Sequence, residues 1–120
     1  MMTIFSWLLL GHLVGDWMLQ NDWMARGKQE ALFTAPGLTH FAVYTIVLMG
    51  VLLSAGIANR GPTFVIGAGA FIFLTHWLID ATPLVDRWMQ FYGQSKVTMV
   101  RVMVDQTFHL IALAVIASVW

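Results

Sequence analysis

The sequence predicts an all-α integral membrane protein, a bundle of four transmembrane helices with a short interfacial helix between the third and the fourth. Of its 120 residues, 59% are hydrophobic and only 10% are charged, and the mean hydropathy is +0.77. This composition lies outside the usual balance of a soluble globular domain. One histidine nevertheless stands in each of four apolar segments, where a bilayer makes ionisable side chains costly.

Four apolar segments approach or reach the roughly 20 residues that a helix needs to cross the hydrocarbon core. They cover residues 4–20, 37–57, 63–80 and 99–120. The first is the weakest span because His12, Asp16 and Gln20 interrupt it. No basic residue precedes it, so we interpret it as a retained span and not as a secretory signal peptide. The four spans predict a single transmembrane domain over residues 1–120.

The three connections have the composition of surface segments. Residues 21–37 are polar and close with the turn signal Pro36-Gly37, which predicts a connection at the membrane surface. Residues 56–62 are rich in small and turn-forming residues, as in a tight external hairpin. The third connection begins at Pro83 with apolar residues at helical spacing, which predicts the short interfacial helix.

The basic residues predict the orientation. The first and third connections carry Arg26, Lys28, Arg87, Lys96 and Arg101, whereas the second carries only Arg60. By the positive-inside rule, the first and third connections face the cytoplasm and both termini face outward. The formal net charge is zero and there is no basic run, which excludes the electrostatic signature of a nucleic-acid-binding protein. Cysteine is absent, which excludes thiolate metal ligands.

Histidine and aspartate recur together at helical spacing. Three histidines lie four residues from an aspartate, which puts each pair on one helix face, and the fourth histidine opens the second span. The seven residues are His12, Asp16, His40, His76, Asp80, Asp105 and His109. All seven fall in the cytoplasmic third to half of the predicted bundle, so we expect them to meet in one pocket.

Imidazole and carboxylate groups without thiolate suit a divalent metal ion, with zinc first and manganese, iron or nickel as alternatives. Seven groups exceed one tetrahedral site. Either two ions are bound, or some groups orient the ligands and act as general base, with Asp16, Asp80 and Asp105 as the candidate catalytic residues. Without a metal, the pairs would hold helices together at about 0.6–2 kcal/mol each. Gln20 and Gln106 are candidates to orient the ligands.

The two halves of the chain share a pattern. The offsets of His12, Asp16 and Asp22 recur in the second half, starting at His76, and a Trp-Met pair follows each set. If the two hairpins are related, the repeat is parallel, with its axis along the membrane normal.

These motifs resemble those of a family of small bacterial integral membrane proteins, the domain of unknown function 3307. The family pattern is H-L-x-G-D-x-x-x-Q, then a histidine opening the second span, then S/T-H-x-x-I-D and D-Q-x-x-H. Here it reads His12-Leu13-Val14-Gly15-Asp16 with Gln20, His40, Thr75-His76-Trp77-Leu78-Ile79-Asp80, and Asp105-Gln106-Thr107-Phe108-His109. The resemblance covers nearly the whole chain and implies a bacterial inner-membrane protein, without an established activity.

Two positions depart from the family pattern. Tyr44 stands where some relatives carry a second histidine, and Pro83 stands where some carry a lysine. Either departure could alter the number of ligands or the binding of substrate. Residues 75–80 also resemble part of the motif of small membrane-bound metal-dependent hydrolases.

Three functions follow from these observations. The leading hypothesis is a metal-dependent hydrolase of an amphipathic or lipid-linked substrate, with the four histidines as ligands and a cytoplasm-facing site for one or two ions. The second is translocation of a metal ion or a proton through the same groups. The third is a non-catalytic accessory subunit of a larger membrane complex. The expected partners are membrane lipids, together with further copies of this chain or subunits of such a complex.

Overall fold

The computed structural model describes residues 1–94 and 97–120, and within these residues the regular structure is entirely helical. Helix α1 (Ile4–Leu13) continues into a π-helical turn (Val14–Met18) and is followed by the short helix α2 (Asp22–Gly27). Then come α3 (Ala35–Ser54), a 3-10 turn (Ile57–Arg60), α4 (Pro62–Ala81), α5 (Leu84–Phe91) and α6 (Thr98–Ser118). The all-α prediction is confirmed.

Three helices, α3, α4 and α6, are long and apolar enough to cross a membrane, with 20 or 21 residues each. Their bounds agree with the predicted second, third and fourth spans to within about three residues, the usual uncertainty of helix ends. The first segment is shorter. It comprises 10 residues of α-helix and 5 of π-helix, below the roughly 20 residues of a full span. Its crossing of the membrane stays a prediction.

The helices begin where the sequence supplies capping groups. The Thr3 side chain accepts a hydrogen bond from the Ser6 amide at the start of α1, and the Thr34 hydroxyl accepts one from the Gly37 amide at the start of α3. Pro36 lies in the first turn of α3, where its missing N–H costs nothing. The predicted turn signal Pro36-Gly37 therefore opens the helix instead of preceding it.

Four helices form a ring in which each packs against two neighbours. Helix α1 packs against α3 and α6, and α4 packs against the same two helices. The short helix α2 lies against α3, and α5 lies against α4 and α6. We call the end of the bundle with α2 and α5 the short-helix end, and the opposite end, with the turn Ile57–Arg60, the hairpin end.

The two ends have different cores. Toward the hairpin end the buried core is apolar, and it includes Leu8, Leu48, Leu52, Ile57, Ile72, Leu113 and Ile116, with Tyr44 at its border with the polar residues. Large apolar side chains also cover the outside of the bundle, such as Ile46 and Ile66, which are 70% and 71% exposed. Such an outer surface suits lipid and not water. The buried ionisable residues, described next, lie toward the short-helix end.

Candidate metal centre

The described residues include six buried side chains that are polar or charged, and all six belong to the predicted set. They are His12, Asp16, His40, His76, Asp80 and His109, each at most 4% exposed. The π-helical turn after α1 holds Asp16, α3 holds His40, α4 holds His76 and Asp80, and α6 holds His109. The seventh predicted residue, Asp105, stands one turn before His109, with 20% of its side chain exposed. The structure therefore brings all four helices of the ring to one polar cluster.

Four of these residues form a group that could hold a metal ion. One ligand atom each from Asp16, His76, Asp80 and His109 lies within 4.8 Å of the other three. We call these four residues the central group.

The separations within the central group match the spacing of metal ligands. His109 Nε2 lies 3.4 Å from Asp80 Oδ1, and His76 Nε2 lies 3.5 Å from Asp80 Oδ2. His76 Nε2 lies 3.7 Å from Asp16 Oδ1. Donor atoms bound at about 2.0–2.1 Å to a tetrahedral ion lie about 3.3–3.5 Å from one another. Three of the separations are therefore close to those around a small divalent ion, while the group as a whole extends to 4.8 Å.

His40 borders the central group and brings a third imidazole nitrogen next to it. Its Nε2 lies 3.2 Å from Asp16 Oδ1, 3.3 Å from Asp80 Oδ2 and 2.9 Å from His76 Nε2. Its Nδ1 is buried without a hydrogen-bond partner among the described residues. The imidazole therefore makes all its polar contacts through Nε2, with the two carboxylates and His76.

A backbone hydrogen bond sets the tautomer of His109. Its Nδ1 lies 2.9 Å from the backbone oxygen of Asp105. Because a carbonyl oxygen only accepts, Nδ1 carries the proton, and the Nε2 of the neutral ring keeps its lone pair. That lone pair is directed to Asp80 and His76. His109 thus has the tautomer that a metal ligand needs, held by a backbone carbonyl behind it.

His12 lies at the edge of the cluster and uses both ring nitrogens elsewhere. The Gln106 amide nitrogen donates to Asp16 and to Asp105, at 3.3 and 3.1 Å, so the amide oxygen must face His12. That oxygen accepts from His12 Nε2 at 2.8 Å, and the Tyr44 hydroxyl donates to His12 Nδ1 at 3.0 Å. In this arrangement His12 orients Gln106 and, through it, Asp16. Its role as a ligand stays a prediction.

Lys28 belongs to the cluster, and the sequence did not indicate this. Its Nζ lies 2.6 Å from Asp80 Oδ2 and 3.9 Å from Asp16 Oδ1, and only 13% of its side chain is exposed. The sequence analysis counted Lys28 among the basic residues of a surface connection. The one available signal was electrostatic: two buried carboxylates require a cationic partner.

The junction between α2 and α3 holds Lys28 in place. Gly27 packs against Pro36 so closely that a Cβ at Gly27 would lie 2.0 Å from the proline Cγ. The Thr34 hydroxyl donates to the Gly27 backbone oxygen at 2.7 Å. A Cβ at Gly37 would lie 3.3 Å from the Lys28 Cα. The backbone of Lys28 is therefore fixed by close contacts, whereas its side chain extends freely to Asp80.

Tyr44 stands where the family resemblance expected a histidine in some relatives. Its ring stacks on His76 with the centroids 3.7 Å apart and the planes 10° apart. The stacking fixes the orientation of the His76 ring, and the hydroxyl binds His12 as described. Tyr44 therefore supports two of the histidines.

A cavity of about 340 Å³ lies beside the central group. Asp16, Lys28, Arg101, Asp105 and Gln106 contribute to its polar lining. Trp17 and Val102 contribute apolar surface, and Trp17 is 56% exposed. We call this space the access cavity, because it connects the polar cluster with the surface of the bundle.

The fold and the cluster define a class of protein: a helical bundle with three helices apolar enough to cross a membrane and a buried His/Asp group that could hold a metal ion. The chain belongs to the family described as "Protein of unknown function (DUF3307)", whose model matches residues 4–120. This confirms the family resemblance drawn from the motifs. Comparisons with curated proteins and with solved structures found no match. The weaker resemblance of residues 75–80 to hydrolases finds no support in these comparisons.

Proposed function

We propose that this protein binds a divalent metal ion, zinc by preference, at the central group and uses it to hydrolyse an amphipathic substrate. The observation that carries the proposal is the convergence of Asp16, His76, Asp80 and His109, whose ligand atoms lie within 4.8 Å of one another. Two carboxylates and two imidazoles are a familiar ligand set for zinc. The site is buried at the short-helix end, next to a cavity large enough for a polar headgroup.

The charges of the cluster also support a bound cation. Asp16 and Asp80 are 4% and 3% exposed, and burial of two carboxylates is costly unless cations compensate them. Lys28 supplies one positive charge. A second positive charge must come from a protonated histidine or a bound ion. A divalent ion would compensate both carboxylates together.

In the proposed reaction the bound ion supplies Lewis acidity. Asp105 is outside the central group and lines the access cavity, so it is the carboxylate that can accept a proton from the attacking water. Gln106 holds the Asp105 and Asp16 carboxylates through its amide nitrogen. Trp17 and Val102 give the cavity an apolar side, from which an amphipathic substrate can enter.

We further propose that the short-helix end faces the cytoplasm of a bacterium, with Ile4–Met18 as a fourth span and both termini outside. Arg26, Lys28, Arg87 and Arg101 support this orientation because all four lie at or near the short-helix end. Arg60 lies at the hairpin end. Lys96, which also entered the sequence argument, lies outside the described residues.

Proton translocation is a second candidate, favoured by a chain of short contacts between ring nitrogens. His109 Nε2 lies 3.0 Å from His76 Nδ1, and His76 Nε2 lies 2.9 Å from His40 Nε2. His40 Nε2 in turn lies 3.2 Å from Asp16 Oδ1. The chain of contacts does not continue toward the hairpin end, where the core is apolar. A site that ends inside the bundle fits binding and catalysis better than conduction. Acidification of vesicles that contain the purified protein would favour this second candidate.

Metal analysis of the purified protein tests the proposal. After incubation with zinc and gel filtration, we expect a stoichiometric amount of zinc in the wild type and little in Asp80→Asn, because the substitution removes a buried charged ligand. Asp22→Asn is the matched control, since Asp22 lies at the same end with 95% of its side chain exposed. Wild-type protein without zinc, or equal zinc in both variants, would contradict the proposal and favour the accessory subunit.

Asp105→Asn separates metal binding from catalysis. We expect this variant to keep its zinc and to lose turnover of a bacterial polar lipid extract, measured by mass spectrometry of the products, by about 100-fold or more. The substitution preserves the shape of the side chain and removes the base. Turnover at the wild-type rate would show that Asp105 is not the proton acceptor.

A further inference from the structure

Lys28 and a metal ion would compete for the same oxygen atom. The Lys28 ammonium lies 2.6 Å from Asp80 Oδ2, and this oxygen also lies 3.5 Å from His76 Nε2 and 3.3 Å from His40 Nε2. Asp80 Oδ2 therefore binds the lysine and is also one of the oxygens that could bind an ion. A divalent ion at the central group would repel an ammonium so close to it. We therefore expect metal binding to displace Lys28 from Asp80.

The structure limits where Lys28 can go. Its backbone is held by the contacts of Gly27 with Pro36 and of Gly37 with Lys28 itself, so only the flexible four-carbon side chain is free to move. Lys28 already lines the access cavity. A displaced ammonium would therefore enter this cavity, where a negatively charged group would be its partner.

Two further features of the access cavity suit a polar ligand, and the charged side chains that line it are the cations of Lys28 and Arg101 and the carboxylates of Asp16 and Asp105. Arg101 also lines the cavity, and its pairing with Asp86 is at the surface, where 37% and 49% of the two side chains are exposed. The pair is a partly exposed fork of two hydrogen bonds, at 3.1 and 3.4 Å, which an anionic ligand would have to share or displace. Gln20 lines the cavity too, and its amide oxygen is buried without a hydrogen-bond partner among the described residues. This oxygen can accept a hydrogen bond from a hydroxyl group of the ligand.

We propose that the access cavity binds the phosphate group of an amphipathic phosphate ester, and that metal binding prepares the cavity by releasing Lys28 from Asp80. This inference rests on the proposed metal site and names the substrate class for it. Lys28 and Arg101 would bind the phosphate oxygens by charge-assisted hydrogen bonds. The apolar surface of Trp17 and Val102 would face the hydrocarbon chain.

Titration calorimetry in a neutral maltoside detergent tests this coupling, with dodecyl phosphate and inorganic phosphate as probes. We expect dodecyl phosphate to bind the zinc-loaded protein about tenfold more tightly than the zinc-free protein, because zinc frees the lysine. In Lys28→Met we expect zinc to bind at least as tightly as in the wild type. Dodecyl phosphate should bind this variant about tenfold more weakly than it binds the zinc-loaded wild type.

Arg101→Gln and Arg87→Gln form a matched pair. Both remove one positive charge in the third connection or close to it, but Arg101 lines the access cavity and Arg87 is exposed on α5. We expect weaker binding of dodecyl phosphate in Arg101→Gln and wild-type binding in Arg87→Gln. If Lys28→Met does not fold, this pair still tests the site.

The outcomes separate this inference from the proposed function. Absence of zinc binding in the wild type would overturn both. Zinc binding with dodecyl phosphate affinity independent of zinc, Lys28 and Arg101 would overturn the inference alone. If inorganic phosphate binds as tightly as dodecyl phosphate, with the same dependence on Lys28, the phosphate site is supported and its ligand is a soluble phosphate instead of a lipid.

Discussion

Single hydrogen bonds give the four histidines different surroundings, although all four are buried. His109 is held by a backbone carbonyl and directs its Nε2 to Asp80 and His76. His12 binds Gln106 and Tyr44 with its two nitrogens and keeps none free. Each lies four residues from an aspartate, but the aspartate follows His12 and precedes His109, so His109 bonds back to its own helix whereas His12 bonds to Gln106 and Tyr44 on other helices.

Gly15 allows the carboxylate next to it to reach the cluster. A Cβ at Gly15 would lie 3.2 Å from the Tyr44 Cα and 3.1 Å from the Tyr44 Cδ2, so α1 and α3 could not approach as closely. We expect Gly15→Ala to lower the free energy of unfolding by about 1–3 kcal/mol and to weaken zinc binding about tenfold, because Asp16 shifts with the backbone. Thermal unfolding and zinc titration in detergent measure the two effects.

Gly50→Ala is the control for this substitution. Gly50 lies in α3, and a Cβ there would have no atom within 4 Å. Replacing glycine with alanine inside a helix stabilises it by roughly 0.5–1 kcal/mol when there is space. If both variants behave alike, the close contact of Gly15 with Tyr44 does not matter for the site.

At the scale of elements, the repeated motif ends in a short helix in both halves. Met24 on α2 and Met89 on α5 are buried at 8% and 7% exposure, whereas Trp23 and Trp88 are exposed. The repeat in the sequence therefore corresponds to a repeated local arrangement. The two short helices differ in their contacts. Lys28, at the C-terminal end of α2, contacts Asp80 in the polar cluster, whereas Asp86 on α5 pairs with Arg101 at the surface.

The packing of α2 on α3 is a second place where adding one methyl group should lower the free energy of unfolding. In Gly27→Ala the new Cβ would overlap Pro36, so α2 must move and carry Lys28 away from Asp80. We expect a loss of about 1–3 kcal/mol in unfolding free energy and faster hydrogen exchange of the α2 amides. Gly67→Ala, with no atom within 4 Å of its Cβ, should leave both unchanged or slightly improved. Unchanged exchange in Gly27→Ala would show that α2 tolerates the displacement.

At the scale of the whole molecule, large apolar side chains cover much of the outside of the bundle, and a cluster of ionisable side chains is buried at one end. This distribution is the reverse of that in a water-soluble bundle and fits a protein whose surroundings are lipid. The polar cluster at the short-helix end is accessible from one side only, since the hairpin end is filled by an apolar core. The membrane orientation therefore decides which compartment the site faces.

Single cysteines report this orientation directly, because the natural chain contains none. In intact bacterial cells, we expect a membrane-impermeant maleimide to label Met2→Cys and Ala58→Cys, and to label Glu30→Cys only after permeabilisation. All three positions are exposed. Labelling of Met2→Cys on the same side as Glu30→Cys would show that Ile4–Met18 does not cross the membrane. Labelling of Glu30→Cys alone in intact cells would reverse the orientation.

Composition and hydrophobic runs were enough to predict the helical class and three of the four expected spans as long apolar helices, because a bilayer imposes span length and polarity on any sequence that crosses it. The spacing of histidine and aspartate indicated candidate residues, and four of them form the central group. Lys28, Tyr44 and the edge position of His12 could not be predicted, since they depend on contacts between helices that are distant in the chain. The same holds for the π-helical turn at Asp16 and for α2, whose short segments carry too weak a periodic signal. A helix determines which face its side chains share, but only the packing of all helices determines which atoms lie within bonding distance.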